Sequence, residues 1–490
     1  MSRARAVLAS ALWCAAAAVT PATAAQRLPP EVQAALQRAR VPATAISVVV
    51  QDAGNGRPTL LWRPHEALNP ASLAKLMTTA AALEMLGPAW RWRTPVWLGG
   101  PLRDGVLEGS LVIKGSGDPT LVLERVWLLL RRVQALGVRE IRGDIVLDGS
   151  AFDVPDGDAG EFDGESLRPY NVRPASLLLN FRSVIYTFVP DADAGVARVL
   201  VEPPLAGTVI DRSAPLAAGP CGDWRATLKA TFEPGRTRFA GAYPRACGEL
   251  AWPVADPQPA TYDARLIEAL WRGMGGQLQG SVRTGAAPAD RPPTFELPSP
   301  PLAEVVRDIN KFSNNMMAQQ LFLTLALQEA PGRAATPEAA RETLTRWVVA
   351  RTGEPGRPPG AAGGPAAPAD AADALLIDNG SGLSRHTRLS AQRLARLLQQ
   401  AYDGPVMSEL MSSLPVSGLD GTLRRSRATL GRAHLKTGSL RDVAGIAGYV
   451  LSNSGRRHVL VAIINHPQAA AAQPALDALV QWTLQDTPLR

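Results

Sequence analysis

Lysine is the basic residue that this sequence largely lacks. Only five of its 51 basic residues are lysine, at positions 75, 114, 229, 311 and 436. The basic residues are scattered, and the absence of a Lys/Arg run with interleaved aromatic residues argues against nucleic-acid binding. A chain that otherwise uses arginine should keep lysine mainly where a guanidinium fails, as a base or as a compact charge. Lys75 and Lys436 are therefore candidates for chemistry.

Cysteine and histidine are also scarce, which argues against a metal site. The five histidines are isolated from one another, and no Cys/His set has the spacing of zinc ligands. We therefore expect neither a metal nor a cofactor. Of the three cysteines, Cys14 lies in the N-terminal segment, so Cys221 and Cys247 remain as a pair. In an oxidising compartment an even pair indicates one disulfide, and two free thiols are the alternative.

Long apolar runs are missing except at the N-terminus. Residues 1–25 carry Arg3 and Arg5, then an Ala/Leu/Val run, then the small-x-small motif Ala22-Thr23-Ala24. This order is typical of an export signal cleaved after residue 24 or 25, and a retained membrane anchor is the alternative. The protein is then expected in the periplasm or elsewhere outside the cytoplasm. Because the segment holds no acidic residue, its removal lowers the net charge from +7 to +5. A mildly basic exported protein can associate peripherally with an anionic membrane or cell wall.

The first motif that is present is Ser72-x-x-Lys75, at the start of an apolar run that Gly87-Pro88 ends. The preceding Asn69-Pro70-Ala71 is typical of a turn and of a helix N-cap. Residues three apart share one face of a helix, so the Ser72 hydroxyl and the Lys75 amine should be neighbours. An apolar environment lowers the pKa of a lysine, and a neutral amine beside a hydroxyl is a base with its nucleophile. The alternative is a capping serine with a solvated lysine.

Two further motifs share a polar character. Ser313-Asn314-Asn315 lies in a short corner between two predicted helices, where a hydroxyl could relay a proton and a carboxamide could hold a substrate amide. The alternative role is to satisfy backbone groups in the corner.

Lys436-Thr437-Gly438-Ser439 lies on a late strand, where Gly438 would allow another backbone to approach and Lys436 and Thr437 would suit a carboxylate. The alternative is a glycine bulge with an exposed lysine.

The secondary-structure pattern is α+β. Apolar residues make up 46% of the chain, enough for large cores. The pattern changes near residues 94, 182, 253 and 290. Strands are predicted at Ala45–Gln51, Ala226–Phe232, His434–Thr437, Val443–Leu451 and His458–Asn465, and residues 353–372 form a low-complexity loop.

The motifs S-x-x-K, S-x-N and K-T-G together, in this order, match the penicillin-recognising serine enzymes. No G-x-S-x-G, Walker A or H-E-x-x-H motif competes with them. The chain resembles the penicillin-binding protein 4 family of D-alanyl-D-alanine carboxypeptidases/endopeptidases (peptidase family S13). Four segments carry this resemblance, which covers nearly the whole mature chain: KGSGDPTL (114–121), DNGSGLSR (378–385), LPVSGLDGTLR (414–424) and HLKTGSLRDVAGIAGYV (434–450).

The resemblance implies a domain organisation. Residues 26–93 and 290–490 would form a transpeptidase-like catalytic domain, with an antiparallel sheet flanked by helices. Residues 94–181 and 254–289 would form an inserted domain II, and residues 182–253 a β-rich domain III nested within it. Ser72 and Ser313 are 241 positions apart in the sequence, which agrees with such an insertion.

The resemblance also implies the role of each site residue. Ser72 would attack the carbonyl between two terminal D-alanines of a peptidoglycan stem peptide, Lys75 would take its proton, and Ser313 would pass a proton to the leaving nitrogen. The substrate-binding residues would be Asn315 for the amide and Lys436, Thr437, Gly438 and Ser439 around the carboxylate and the oxyanion. β-Lactams would acylate Ser72 and remain bound. The alternatives are a β-lactamase or esterase of the same superfamily and a non-catalytic peptidoglycan-binding scaffold. Nothing in the sequence specifies an oligomeric state.

Overall fold

The computed structural model describes residues 27–353 and 374–486. The predicted export signal and nearly all of the low-complexity loop lie outside these ranges. Within them, none of the helices is both long and apolar enough to cross a membrane.

The described α-helices are α1 (Pro30–Arg38), α2 (Lys75–Leu86), α3 (Leu123–Ala135), α4 (Trp224–Leu228), α5 (Pro259–Gly273), α6 (Leu302–Phe312), α7 (Asn315–Glu329), α8 (Pro337–Thr352), α9 (Ala391–Asp403), α10 (Met407–Ser413) and α11 (Gln473–Gln485). The described strands are β1 (Ile46–Asp52), β2 (Pro58–Trp62), β3 (Ala67–Leu68), β4 (Arg93–Leu98), β5 (Leu102–Arg103), β6 (Val106–Leu107), β7 (Leu111–Lys114), β8 (Glu140–Ile141), β9 (Ile145–Asp148), β10 (Ser183–Asp191), β11 (Val196–Glu202), β12 (Val209–Ile210), β13 (Ser213–Ala217), β14 (Ala230–Glu233), β15 (Arg236–Phe239), β16 (Tyr243–Pro244), β17 (Leu250–Ala255), β18 (Gln277–Leu278), β19 (Val282–Thr284), β20 (Phe295–Pro298), β21 (Leu389–Ser390), β22 (Ala433–Leu440), β23 (Val443–Leu451) and β24 (Arg457–Asn465).

The central sheet joins the two ends of the chain. It is antiparallel throughout, in the order β2-β1-β24-β23-β22, so the last strand lies between the first strand and β23. Both of its faces are covered by helices, which explains why β1, β23 and β24 are almost continuously apolar. This part of the chain confirms the predicted α+β class and its antiparallel sheet.

The central sheet separates two apolar cores, because alternate residues of its strands pack on opposite faces. Val48 and Val50 of β1 pack with α1 and α11, whereas Val49 packs with α2, α7 and α9 on the other face. The same division holds in β24, where Leu460, Ala462 and Ile464 face one core and Val459, Val461 and Ile463 face the other. Successive side chains of a strand point to opposite faces, so this two-residue period fixes the register of the sheet.

A separate apolar core contains only residues between Val96 and Phe295. Here β19-β9-β7-β4-β20 and β18-β8-β6-β5 form two sheets, against which α3 and α5 pack. Strand β20 lies in the Pro-rich stretch near residue 290, and it completes its sheet by pairing antiparallel with β4.

The segment between residues 183 and 255 carries two more sheets and an aromatic cluster. The sheets have the orders β16-β13-β11-β10-β17 and β12-β15-β14. Phe188 stacks on Tyr243 with ring centroids 5.3 Å apart, and Trp224 makes edge contacts with Tyr243 and Trp252. The predicted strand Ala226–Phe232 is wrong in its first half: residues 224–228 form α4, capped by the Asp223 side chain on the Ala226 N–H, and only Ala230–Glu233 is strand.

Cys221 and Cys247 form a disulfide in this segment, across 26 residues of sequence. Replacing both by serine should lower the free energy of unfolding of this region by about 3 kcal/mol, because the unfolded chain regains the entropy of an open loop. Differential scanning calorimetry with and without a reductant measures the effect. The wild-type protein in reductant should match the double variant, and the variant should not respond to reductant. A wild-type melting curve that reductant leaves unchanged would contradict this prediction.

Candidate active site

Ser72 lies in a tight turn directly before α2. Residues Ala71–Ala74 form a 3₁₀ helix, and Ala71 adopts a left-handed conformation with φ of 47°. The Asn69 side chain holds this turn by accepting a hydrogen bond from the Ala71 N–H at 2.9 Å. The predicted N-cap is absent, since no side chain caps either the 3₁₀ helix or α2. The Ser72 hydroxyl instead lies 2.9 Å from the Lys75 Nζ.

The segment DNGSGLSR forms the other side of this turn. Asn379 Oδ1 accepts hydrogen bonds from the N–H groups of Ser381 and Gly382, at 3.1 and 3.2 Å. Gly382 has φ of 77°, and a Cβ there would lie only 1.9 Å from the Ala71 carbonyl oxygen. Only glycine therefore permits this approach, which places the Ser381 carbonyl next to Lys75.

Lys75 is fully buried, and three polar atoms surround its amine. Besides the Ser72 hydroxyl, these are Asn315 Oδ1 and the Ser381 carbonyl oxygen, each 2.6 Å from Nζ. Burial first, and the charge of Lys436 second, hold the pKa of Lys75 well below its usual value. A neutral amine has two N–H groups and one lone pair. It can therefore donate to Asn315 and Ser381 while it accepts the proton of Ser72.

The corner between α6 and α7 contains the three polar residues of the second motif, and their side chains have different roles. Ser313 ends α6 in a left-handed conformation with φ of 56°. The Asn314 side chain caps α7 by accepting from the Met317 N–H at 3.1 Å, so the alternative structural role applies to Asn314. Asn315 begins α7 and directs its carboxamide oxygen to Lys75.

Strand β22 carries the third motif along the edge of the central sheet. A Cβ at Gly438 would lie 2.7 Å from the Pro70 carbonyl oxygen, so glycine allows the strand to approach the Ser72 turn. The Lys436 Nζ is fully buried and donates to Ser313 Oγ at 3.0 Å and to the Thr437 carbonyl at 2.7 Å. Burial lowers the pKa of Lys436 to about 7.

Thr437 and Ser439 point toward solvent beside these buried lysines. Thr437 Oγ1 donates to Thr422 Oγ1 at 2.8 Å, and Ser439 is exposed. A cavity of about 570 Å³ adjoins Asn315, Ser439 and Arg441, and Tyr170 is part of its wall. The structure thus brings together all eight predicted catalytic and substrate-binding residues, from three distant parts of the sequence. Cys221 and Cys247 lie apart from them, in the segment between residues 183 and 255.

Sequence reasoning assigned no role to two groups that complete this arrangement. The Ser381 carbonyl is a main-chain group, so residue type does not reveal its role. The sequence points to it only through the Gly380-Ser381-Gly382 pattern. Thr422 lies in the loop LPVSGLDGTLR (414–424). Asp420 holds this loop in place, because it accepts hydrogen bonds from Lys311 Nζ at 2.6 Å and from the Val416 N–H at 2.7 Å. Across residues 27–353 and 374–486, no group of three or more His, Cys, Asp or Glu residues could hold a metal ion.

The chain is similar to a known protein family and to curated relatives. The profile of the D-Ala-D-Ala carboxypeptidase 3 (S13) family matches residues 28–353 and 369–486. A D-alanyl-D-alanine carboxypeptidase of Actinomadura sp. (strain R39) is 28% identical over 484 residues, which cover 93% of this chain and 84% of that protein. The D-alanyl-D-alanine carboxypeptidase DacB of Haemophilus influenzae is 23% identical over 402 residues, which cover 81% of this chain and 80% of the relative.

The fold is also similar to solved structures. Penicillin-binding protein 4 (dacB) from H. influenzae superposes with a TM-score of 0.71 at 21% identity, over 92% of this chain and 99% of that one. The same protein complexed with a novel β-lactam gives a TM-score of 0.68 at 20% identity, over 92% of this chain and all of that one. These matches show a shared penicillin-binding-protein fold. The family profile spans most of the sequence, so the chain belongs to the D-Ala-D-Ala carboxypeptidase 3 (S13) family and is a serine-type carboxypeptidase.

Proposed function

We propose that this enzyme hydrolyses the D-Ala-D-Ala bond of peptidoglycan stem peptides, and the matching bond of cross-linked peptides, through an acyl-enzyme at Ser72. The observation that carries the proposal is the contact between the Ser72 hydroxyl and a buried lysine whose pKa is lowered. A hydroxyl held against a basic amine is an activated nucleophile and is suited to acyl transfer. The family and the β-lactam complex of the H. influenzae relative support the substrate class.

The two lysines take different roles in this mechanism. Two ammonium groups close together in a buried site repel each other, so one of them loses its proton first. The charge of Lys436 lowers the pKa of Lys75 further, and Lys75 also contacts Ser72 directly. Lys75 is therefore the base. Lys436, whose pKa is about 7, is the cation that attracts the substrate carboxylate together with Thr437.

The steps follow from these positions. Lys75 accepts the proton of Ser72 as Oγ bonds to the scissile carbonyl carbon. The backbone N–H groups of Ser72 and Ser439 stabilise the oxyanion, each by about 3 kcal/mol. The C–N bond then breaks as Ser313 gives its hydroxyl proton to the leaving nitrogen and takes a replacement proton from the Lys436 ammonium, whose Nζ lies 3.0 Å from the Ser313 hydroxyl. Water then attacks the ester and gives a proton through Ser313 to the neutral Lys436, while Lys75 returns its proton to Ser72 Oγ as the shortened peptide leaves.

Substrate approaches along the free edge of the central sheet. Strand β22 pairs with β23 on one side, and on the other side the segment at Val416 bridges it at His434. Among the described residues the edge from Lys436 to Leu440 has no strand partner, and the face of the strand at Gly438 lies against the Ser72 turn. An extended peptide can add to such an edge through main-chain hydrogen bonds. Asn315 would hold the amide of the acyl part beside the cavity that it shares with Ser439.

We also propose the domain division given above and a location outside the cytoplasm. The core confined to residues 96–295 supports an insertion with its own interior, and the disulfide suits an oxidising compartment. Mass analysis of a muropeptide digest tests the reaction itself. Loss of one D-alanine identifies carboxypeptidase activity, and conversion of dimers to monomers identifies endopeptidase activity. Rapid turnover of β-lactams would favour a β-lactamase instead.

The first prediction concerns Ser72. A labelled penicillin should attach covalently to the wild-type protein and not to Ser72→Ala, because the variant has no nucleophile. Denaturing gel electrophoresis with fluorescence detection measures the attachment. Cys221→Ser/Cys247→Ser is the matched control and should remain labelled. Labelling that persists in Ser72→Ala would rule out the proposed acyl-enzyme.

The second prediction concerns the base. Lys75→Arg keeps a positive charge but should slow penicillin labelling by at least about 10³-fold, because a guanidinium cannot accept the Ser72 proton. Stopped-time labelling gives the rate constant, and circular dichroism checks that the variant folds. A folded Lys75→Arg enzyme with near-normal labelling would mean that Lys75 acts only through its charge.

The third prediction concerns pH. Lys436 has a lowered pKa of about 7, so its charge is present below that pH and is lost as the pH rises through it. The second-order rate constant for labelling by a β-lactam carboxylate should therefore fall about tenfold or more on the alkaline side of pH 7, since a charged hydrogen bond is lost. The methyl ester of the same β-lactam should show a smaller decrease, because it has no carboxylate for Lys436 to bind. Equal pH profiles for the acid and the ester would contradict the role of Lys436.

A further inference from the structure

Two separate cavities adjoin the third motif. The cavity described above reaches Asn315, Ser439 and Arg441. A second groove, of about 340 Å³, is lined by Phe312, Gly421, Thr422, Arg424 and Arg425. Because Thr422 contacts Thr437, the groove begins next to the proposed carboxylate site. The carboxylate site therefore lies between the two cavities.

Two arginines give the second groove a positive charge. Arg424 and Arg425 are exposed, and neither forms an ion pair with any residue in the described ranges. The only acidic residue between positions 414 and 432 is Asp420, which is already bound by Lys311 at 2.6 Å. The groove is thus suited to an anionic ligand.

The groove also has an apolar wall. The Phe312 side chain is 64% exposed, although it directly precedes Ser313 of the active site. Its backbone is held in place, because the Lys311 carbonyl packs against Gly421, where a Cβ would lie only 2.5 Å from that oxygen. An exposed aromatic ring beside two arginines offers contact to both the aliphatic and the acidic parts of a peptide.

We propose that this groove binds the leaving half of a cross-linked substrate, which is a second, acidic stem peptide. This inference rests on the proposed function. When the leaving group is a single D-alanine, it ends at the carboxylate held by Lys436 and Thr437. When the leaving group is a second stem peptide, that peptide continues from the carbon that bears this carboxylate, past Thr422 and into the groove. Its further carboxylates then meet Arg424 and Arg425.

The chemistry is the same for both substrates. The Ser72 oxygen bonds to the carbonyl carbon, the C–N bond of the cross-link breaks, and the second stem peptide leaves as a protonated amine. Water then hydrolyses the ester. The groove affects only how the longer leaving group binds, so its arginines determine the preference for endopeptidase over carboxypeptidase cleavage.

The test compares two substrates on one enzyme. The variant is Arg424→Ala/Arg425→Ala, and the substrates are a D-Ala-D-Ala-terminated stem peptide and a D,D-cross-linked dimer of it. We expect kcat/KM for the dimer to fall about fivefold to tenfold, mainly through KM, as two surface charge contacts are lost. The value for the monomer should change less than twofold. The matched control is Arg236→Ala/Arg238→Ala, which removes two exposed arginines from β15 and should change neither value.

A second measurement does not depend on the variant folding. In the wild-type enzyme, KM for the dimer should rise more steeply with ionic strength than KM for the monomer, because surface charge contacts are screened by salt. Penicillin labelling of every variant reports separately on the acylation centre.

Three results would overturn the inference: unchanged dimer cleavage in the variant, an equal loss on both substrates, or the same salt dependence for both. A wild-type enzyme that cleaves the monomer but never the dimer would also overturn it while leaving the carboxypeptidase function intact. If the wild-type protein neither labels with penicillin nor cleaves the monomer, the proposed function itself fails.

Discussion

The burial of two lysine amines beside each other is the constraint on which the active site depends. Lys75 and Lys436 have no exposed surface, and neither forms an ion pair with an acidic residue within the described ranges. An ammonium ion without water or a counter-ion is costly, so the protein lowers the pKa of both groups and supplies neutral acceptors instead. Those acceptors come from separate segments: the 3₁₀ turn, the corner between α6 and α7, the loop near residue 381, and strand β22 itself. Arginine could not replace either lysine, which explains why a chain so rich in arginine retains them.

Helix α7 connects this site to the inserted segments. Its first residue, Asn315, contacts Lys75, and one and a half turns later Gln320 is fully buried. The Gln320 side chain accepts from the Ala175 N–H at 3.1 Å and donates to the Ala175 carbonyl at 2.8 Å. The segment around residue 175 is thereby tied to the helix that positions the Lys75 acceptor. Substitutions in this segment can therefore reach the site through α7 rather than through direct contact with substrate.

Much of the central domain could be predicted from sequence, because its signals are local. The apolar runs gave β1, β23 and β24 nearly to the residue, and the serine–lysine spacing placed Ser72 next to Lys75. The errors have physical reasons. The strand predicted at Ala226–Phe232 overlaps Trp224–Leu228, which forms a helix that the Asp223 side chain caps. The Ser381 carbonyl and the close approach of Gly382 to Ala71 depend on contacts across about 300 residues, which no local pattern encodes. The proximity of the three motifs came from resemblance to a family rather than from periodicity.

The order of strands in the central sheet has a consequence for how the molecule is made. β1 (Ile46–Asp52) is synthesised long before its sheet partner β24 (Arg457–Asn465). The sheet cannot close until β24 has emerged, whereas the core between residues 96 and 295 can form earlier. Such long-range pairing is slow and leaves the N-terminal hairpin without a partner in the meantime. A nascent chain that has not yet reached β24 therefore lacks the completed sheet that holds the Ser72 turn beside the third motif.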